Sequence, residues 1–85
     1  MPYYVYVILC RDDSFYTGYT KDVDSRMRLH ANGKGARYTR MHKPKKVVYV
    51  EEFPSRTEAM KRERRIKAMG HQKKRELIAS QRRHR

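Results

Sequence analysis

The sequence predicts an α+β fold: a three-stranded antiparallel sheet flanked by helices in the order ββαβαα. Three observations carry this reading. Tyr3 to Cys10 (YYVYVILC) is apolar on both alternating faces, two shorter aromatic and β-branched runs follow, and capping signals open helices between and after them. Eighty-five residues suffice for one domain, placed at 3–80, and are too few for two. Such a domain hides roughly 60% of its unfolded surface, so a shallow surface cleft is expected rather than an internal cavity.

In the first run Tyr4, Tyr6, Ile8 and Cys10 share one face, and Tyr3, Val5, Val7 and Leu9 the other. A strand apolar on both faces belongs in the interior of its sheet. Arg11-Asp12-Asp13-Ser14 is polar turn material, and Phe15-Tyr16-Thr17-Gly18-Tyr19 returns as the second strand of a hairpin. Tyr6 and Tyr16 are expected as cross-strand neighbours. Gly18 removes a side chain on the same face, where a ligand backbone could come close. A helix follows from Asp22 to Ala31, capped by Asp22 and stopped by Asn32-Gly33. The basic segment 34–42 reads as a short helix or an ordered loop. Val47 to Glu51 is the third strand, between Pro44 and Pro54. Ser55-Arg56-Thr57-Glu58 is a capping box opening a helix that runs to Met69 and ends at Gly70. A last helix spans Gln72 to Ser80, and residues 81–85 are expected as a disordered basic tail.

Charge narrows the partners. Twenty-two Lys and Arg against nine Asp and Glu leave a net charge of +13, which points to a polyanion. Nucleic acid comes first and an anionic membrane surface second. From Arg56 to Arg85 twelve Lys/Arg face three Glu, a net +9. Phosphate contacts from such a surface give salt-dependent affinity with little sequence preference. No zinc-finger, helix-turn-helix or RNA-recognition signature suggests base readout. The single Cys10 excludes an internal disulfide and a multi-cysteine zinc site. No apolar run approaches ~20 residues, and Met1-Pro2-Tyr3-Tyr4 is not a signal peptide. A soluble cytoplasmic protein, or one associated with the nucleoid, is expected.

The informative residues are polar ones at apolar positions. Val23, Met27 and Ala31 mark the inward stripe of the first helix, and Arg26 and His30 border it at +3 and +7. Arg28 lies about 140° from Val23 and faces solvent. On the capped helix Ala59, Ile66 and Gly70 form one stripe, and Glu63 falls within it amid Lys61, Arg62, Arg64, Arg65 and Lys67. An i,i+4 pair with Lys67 accounts for a glutamate but not for its place on the apolar face. A carboxylate there needs a cation, either Arg26 or a bound metal. Two phenols, an arginine, a histidine and a glutamate then converge on one sheet face, a set suited to phosphodiester chemistry.

Tyr4-Val5-Tyr6 followed by Tyr16-Thr17-Gly18 resembles the motif pair that names the GIY-YIG endonuclease superfamily. Tyr4 stands where Gly is common in that family, and Thr17 where Ile is. The resemblance continues through Arg26, His30, Asn32-Gly33-Lys34-Gly35, Tyr38-Thr39-Arg40, Glu51-Glu52-Phe53 and Ala59…Glu63…Ile66-Lys67. It covers residues 3 to 78 and matches the small stand-alone branch of the superfamily.

The resemblance implies a metal-dependent DNA endonuclease that hydrolyses phosphodiesters, selects structure rather than sequence, and serves DNA repair or processing. It implies one Mg2+ or Mn2+ ion held by Glu63 and a scissile phosphate contacted by Arg26. Tyr6 and Tyr16 border the attacking water, one of them as general base, with His30 near the reaction centre. Gly18, Lys34, Arg37 and Arg40 are the further DNA-binding candidates. A phenol of pKa about 10 needs Arg26, His30 or the metal to make it basic at neutral pH. The larger relatives carry DNA-targeting domains, and none is expected within these 85 residues. Weak cutting, cutting confined to structured substrates, and targeting by a protein partner remain open. The alternative is a nucleic-acid-binding module that keeps the nuclease fold with little or no turnover.

Overall fold

β1 (Tyr3–Cys10) is the central strand of a three-stranded antiparallel sheet in the computed structural model, which describes residues 2–83. β2 (Phe15–Thr20) and β3 (Pro44–Phe53) flank it in the order β2-β1-β3. α1 (Val23–Ala31) and α2 (Arg37–Met41) lie between β2 and β3, and α3 (Arg56–Lys67) and α4 (His71–Arg83) follow. The fold is the expected α+β sheet with flanking helices, with a short helix added in the basic segment.

Both faces of β1 are covered, because both are apolar. Val5 and Val7 pack with Tyr49, Ala59, Ile66 and Ile78, the layer that holds α3 and α4. Tyr6, Ile8 and Cys10 pack with Tyr16, Val23, Met27, Val47 and Val50, the layer that holds α1. Burying a Val or Ile side chain contributes about 1.5–3 kcal/mol, so these two small clusters hold much of the fold. The hairpin turn closes with Cys10 N–H donating to Ser14 O at 2.8 Å. Asp13 there adopts φ 68°, a left-handed conformation that Asp tolerates better than most residues.

The caps behave as the side chains dictate. Asp22 Oδ1 accepts from Ser25 N–H at 3.1 Å, and Ser55 Oγ accepts from Glu58 N–H at 3.3 Å. α1 stops at Gly33, whose φ of +73° lets its N–H reach His30 O at 3.1 Å.

Four expectations are corrected. β3 begins at Pro44 rather than Val47, since proline is tolerated at a strand's first residue and Lys45 and Lys46 are exposed. On α1, Ala31 is exposed and His30 is the buried residue. α3 ends at Lys67, two residues before the expected Met69. The basic tail does not start at residue 81: α4 continues through Arg83 because Gln81 is tied to β3. The Gln81 amide accepts from Val50 N–H at 3.2 Å and donates to Val50 O at 2.6 Å. His84 and Arg85 lie outside the described residues.

Candidate active site

Tyr6, Tyr16, Arg26, His30 and Glu63 line one open cleft of about 330 Å³, together with Gly18. β1 supplies Tyr6, β2 supplies Tyr16 and Gly18, α1 supplies Arg26 and His30, and α3 supplies Glu63. Tyr19, Gly35 and Ala36 complete the lining. Arg28, two residues from both cleft residues of α1, is exposed and donates to Ser25 Oγ at 3.4 Å.

The hairpin register differs from the expected one in a way that explains its glycine. Tyr6 stands opposite Gly18, and Tyr16 stands opposite Ile8. The two phenols are diagonal neighbours, with ring centroids 6.3 Å apart. A Cβ on Gly18 would lie 2.6 Å from Tyr6 Oη, so Gly18 makes room for the Tyr6 ring rather than for a ligand backbone.

Behind Tyr6 runs a buried polar chain. Tyr6 Oη lies 2.9 Å from His30 Nε2, and His30 Nδ1 lies 2.6 Å from Thr39 Oγ1. Thr39 in turn donates its hydroxyl to Ala36 O at 3.0 Å. Only 1% of His30 and 1% of Thr39 is exposed, so each polar atom must find its partner within the protein. Gly35 closes over the imidazole, where a Cβ would fall 2.2 Å from Nδ1. Tyr16 completes the cluster, its ring centroid 5.0 Å from that of His30 and 5.9 Å from that of Tyr38.

Burial sets the protonation states. It pushes Tyr6 well above the usual phenol range, with Tyr16 and Glu63 adding to the shift and Arg26 opposing it. Tyr16 is raised by burial and then by Glu63, again against Arg26. Arg26 thus acts in the direction that favours a phenolate but does not outweigh desolvation. His30 is lowered by burial and then by Arg26, so its imidazole is neutral at pH 7.

Glu63 is held by Lys67, whose Nζ lies 3.6 Å from Oε2, and not by Arg26. Its side chain is 15% exposed while that of Lys67 is 52% exposed, which makes the pair weak. Among the described residues no three His, Cys, Asp or Glu gather as a metal cage. One carboxylate in a polar cleft nevertheless suits a divalent ion that keeps most of its waters and takes phosphate oxygens. Glu63 fits that ion. Lys34, Arg37 and Arg40 stand exposed on the segment that brings Ala36 and Thr39 to the site. They do not line the cleft itself.

Thr39, Gly35, Ala36 and Tyr19 were not identified as site residues from the sequence. A five-residue helix has no periodicity to read, so nothing local marks Thr39 as buried. The one available signal is a threonine and a glycine within a run of cations.

Comparison with known proteins shows the family and the fold. Residues 2–76 match the family model of the GIY-YIG catalytic domain. The UPF0213 protein SSP2268 of Staphylococcus saprophyticus is 47% identical over 77 residues, covering 91% of this chain and 94% of its own. The solution NMR structure of the UPF0213 protein BH0048 from Bacillus halodurans is 48% identical, with a TM-score of 0.60. It covers 93% of this chain and 84% of that one. The solution NMR structure of EF2693 from E. faecalis is 35% identical with a TM-score of 0.65, covering 94% and 85%. The chain belongs to the GIY-YIG family, a nuclease-type family, and within it to the small single-domain UPF0213 group.

Proposed function

We propose that the protein is a metal-dependent DNA endonuclease that hydrolyses phosphodiester bonds and selects DNA structure rather than sequence, in DNA repair or processing. The observation that carries this is the convergence of Tyr6, Tyr16, Arg26, His30 and Glu63 on one open cleft from four separate elements. The surrounding charge of +13 brings the phosphate backbone to that cleft.

Each residue has a task its chemistry suits. The Arg26 guanidinium donates to the non-bridging oxygens of the scissile phosphate and stabilises the charge that builds there. Tyr6 and Tyr16 flank the attacking water and orient it. Neutral His30, hydrogen-bonded to Tyr6, is the group able to receive a proton at pH 7. Glu63 would hold a Mg2+ or Mn2+ ion, which when bound neutralises charge on the phosphate as a Lewis acid. Lys34, Arg37 and Arg40, exposed on the segment that carries Gly35 and Ala36 into the cleft lining, would bind the DNA backbone.

The burial of Tyr6 and Tyr16 favours a second reading, a DNA-binding module without useful turnover: it raises both phenols and so makes each a poorer base in the free protein. The same assay separates the two. Purified protein is incubated with branched, nicked and linear DNA in manganese or in EDTA. Metal-dependent cuts leaving 5′-phosphate and 3′-hydroxyl ends support the endonuclease. Retarded but intact DNA under every condition leaves only the binding module.

A further inference from the structure

Thr39 is buried behind the cleft, does not line it, and reaches Tyr6 only through His30. Its hydroxyl has one hydrogen and two acceptors in reach, Ala36 O at 3.0 Å and His30 Nδ1 at 2.6 Å. A neutral imidazole likewise carries one hydrogen, on either Nδ1 or Nε2. Two arrangements are therefore self-consistent. In the first, Thr39 donates to Ala36 O, His30 Nδ1–H donates to Thr39 Oγ1, and Tyr6 Oη–H donates to His30 Nε2. Three hydrogen bonds form. In the second, Thr39 donates to His30 Nδ1 and His30 Nε2–H donates to Tyr6 Oη. Two form, and the Tyr6 hydrogen is left to the cleft. His30 and Thr39 are each only 1% exposed, and the first arrangement alone gives every one of these hydrogens an acceptor within the protein, so it prevails.

We propose that Thr39 is a positioning residue that locks His30 as its Nδ1–H tautomer, so that Tyr6 donates inward and presents only oxygen lone pairs to the cleft. The chain Ala36 O, Thr39 Oγ1, His30, Tyr6 Oη carries this assignment. Its catalytic consequence rests on the endonuclease reading; the tautomer itself does not. In that reaction the attacking water gives a proton to Tyr6 Oη while the phenol's own proton passes to His30 Nε2. The water oxygen bonds to phosphorus, the ester P–O bond breaks, and the departing oxygen takes a proton from solvent. The resulting imidazolium stays held by Thr39 through Nδ1–H and afterwards returns its extra proton to solvent through the same chain. A tyrosine facing the cleft with its hydrogen could not accept that proton.

The test reads the tautomer directly. Long-range 1H–15N spectra of the 15N-labelled protein at neutral pH distinguish a protonated ring nitrogen from a bare one. The expected result is protonated Nδ1 and bare Nε2 at His30 in the wild type and in Thr39→Ser. Thr39→Val keeps the shape, removes the hydroxyl and should move the hydrogen to Nε2. A wild-type His30 protonated on Nε2 overturns the lock, as does a Thr39→Val protein that keeps Nδ1–H. Should Thr39→Val not fold, the wild-type spectrum alone decides. In the manganese cleavage assay Thr39→Val should lose at least about tenfold in kcat at unchanged KM, with Thr39→Ser restoring it. A shifted tautomer with undiminished kcat overturns the positioning role. The expected tautomers in a protein that cuts no DNA support the lock and refute the endonuclease reading instead.

Discussion

Replacing Gly35 with Ala adds one methyl group to the protein and should displace His30 and cost much of the stability. The new Cβ would fall 2.2 Å from His30 Nδ1 and 2.8 Å from both Cγ and Cε1. Comfortable contact between such atoms needs roughly 3.5 Å, so the ring must retreat by about 1 Å. It cannot do so and keep bonds of 2.6 Å to Thr39 and 2.9 Å to Tyr6. Losing two buried hydrogen bonds, at about 0.5–1.5 kcal/mol each, with some of their atoms left unpaired, gives a destabilisation of about 2–4 kcal/mol. Backbone strain plays no part, because Gly35 is not in the left-handed region. In urea, at about 1 kcal/mol per M for a domain this small, the midpoint should fall by at least about 2 M. Cleavage by the protein that remains folded should fall at least about a hundredfold. A midpoint within about 0.5 M of the wild type would show that His30 is not confined by Gly35, and the buried chain would lose its support.

Thr17 Oγ1 is buried without a hydrogen-bond partner among the described residues, so Thr17→Val should raise stability by about 0.5–1.5 kcal/mol; a lower urea midpoint would contradict this. Arg26→Ala should abolish turnover while Arg28→Ala only weakens binding, since Arg26 lines the cleft and Arg28 does not; equal loss of kcat at saturating DNA would refute the distinction. Glu63→Gln should lose metal-dependent cleavage, keep or slightly tighten DNA binding, and change stability by less than about 1 kcal/mol, because its ion pair with Lys67 is weak. A large fall in the urea midpoint with undiminished specific activity would make Glu63 a structural residue. The His30 pKa is lowered on folding, so the unfolded chain binds the proton more tightly. Stability should therefore be full above about pH 6.5 and fall as pH drops below it, a dependence that His30→Gln should reduce; an unchanged slope in that variant would show that His30 is not responsible.

The sheet and the cleft were legible in the sequence to different depths. Strand and helix identity follow from local pattern: the two-faced apolar run makes β1 central, and Ser55 with Glu58 marks the start of α3 before any contact is known. The same periodicity placed His30 toward the sheet, because a helix fixes side-chain direction within one or two turns; Arg26, expected beside it, lines the cleft but is exposed. It failed where a contact depends on chain return. Gln81 extends α4 only because Val50, thirty-one residues away, offers it both a donor and an acceptor. The hairpin register needed the turn geometry, which the sequence of Arg11 to Ser14 leaves open by two residues, and that slip changes the direct partner of Tyr6 from Tyr16 to Gly18.

That change of partner alters what the paired motifs mean physically. If Tyr6 and Tyr16 were directly opposed, Gly18 would be a gap facing solvent, available to substrate. Opposed to Gly18, Tyr6 instead lays its own ring across the glycine, which carries its hydroxyl to His30. Gly35 gives the imidazole its room in the same way, from the other side. Two missing side chains thus set the positions of two that line the cleft. The spacing between Tyr16 and Gly18 is then a packing requirement before it is a catalytic one: any side chain at 18 displaces the phenol at 6, whatever reaction the cleft performs. This also separates the two tyrosines by role. Tyr6 is enclosed and tied to the buried chain, while Tyr16 is half-buried and has Lys67 Nζ 6.0 Å above its ring. Tyr6 is the phenol with a proton acceptor behind it, and Tyr16 packs against the His30 ring beside that chain.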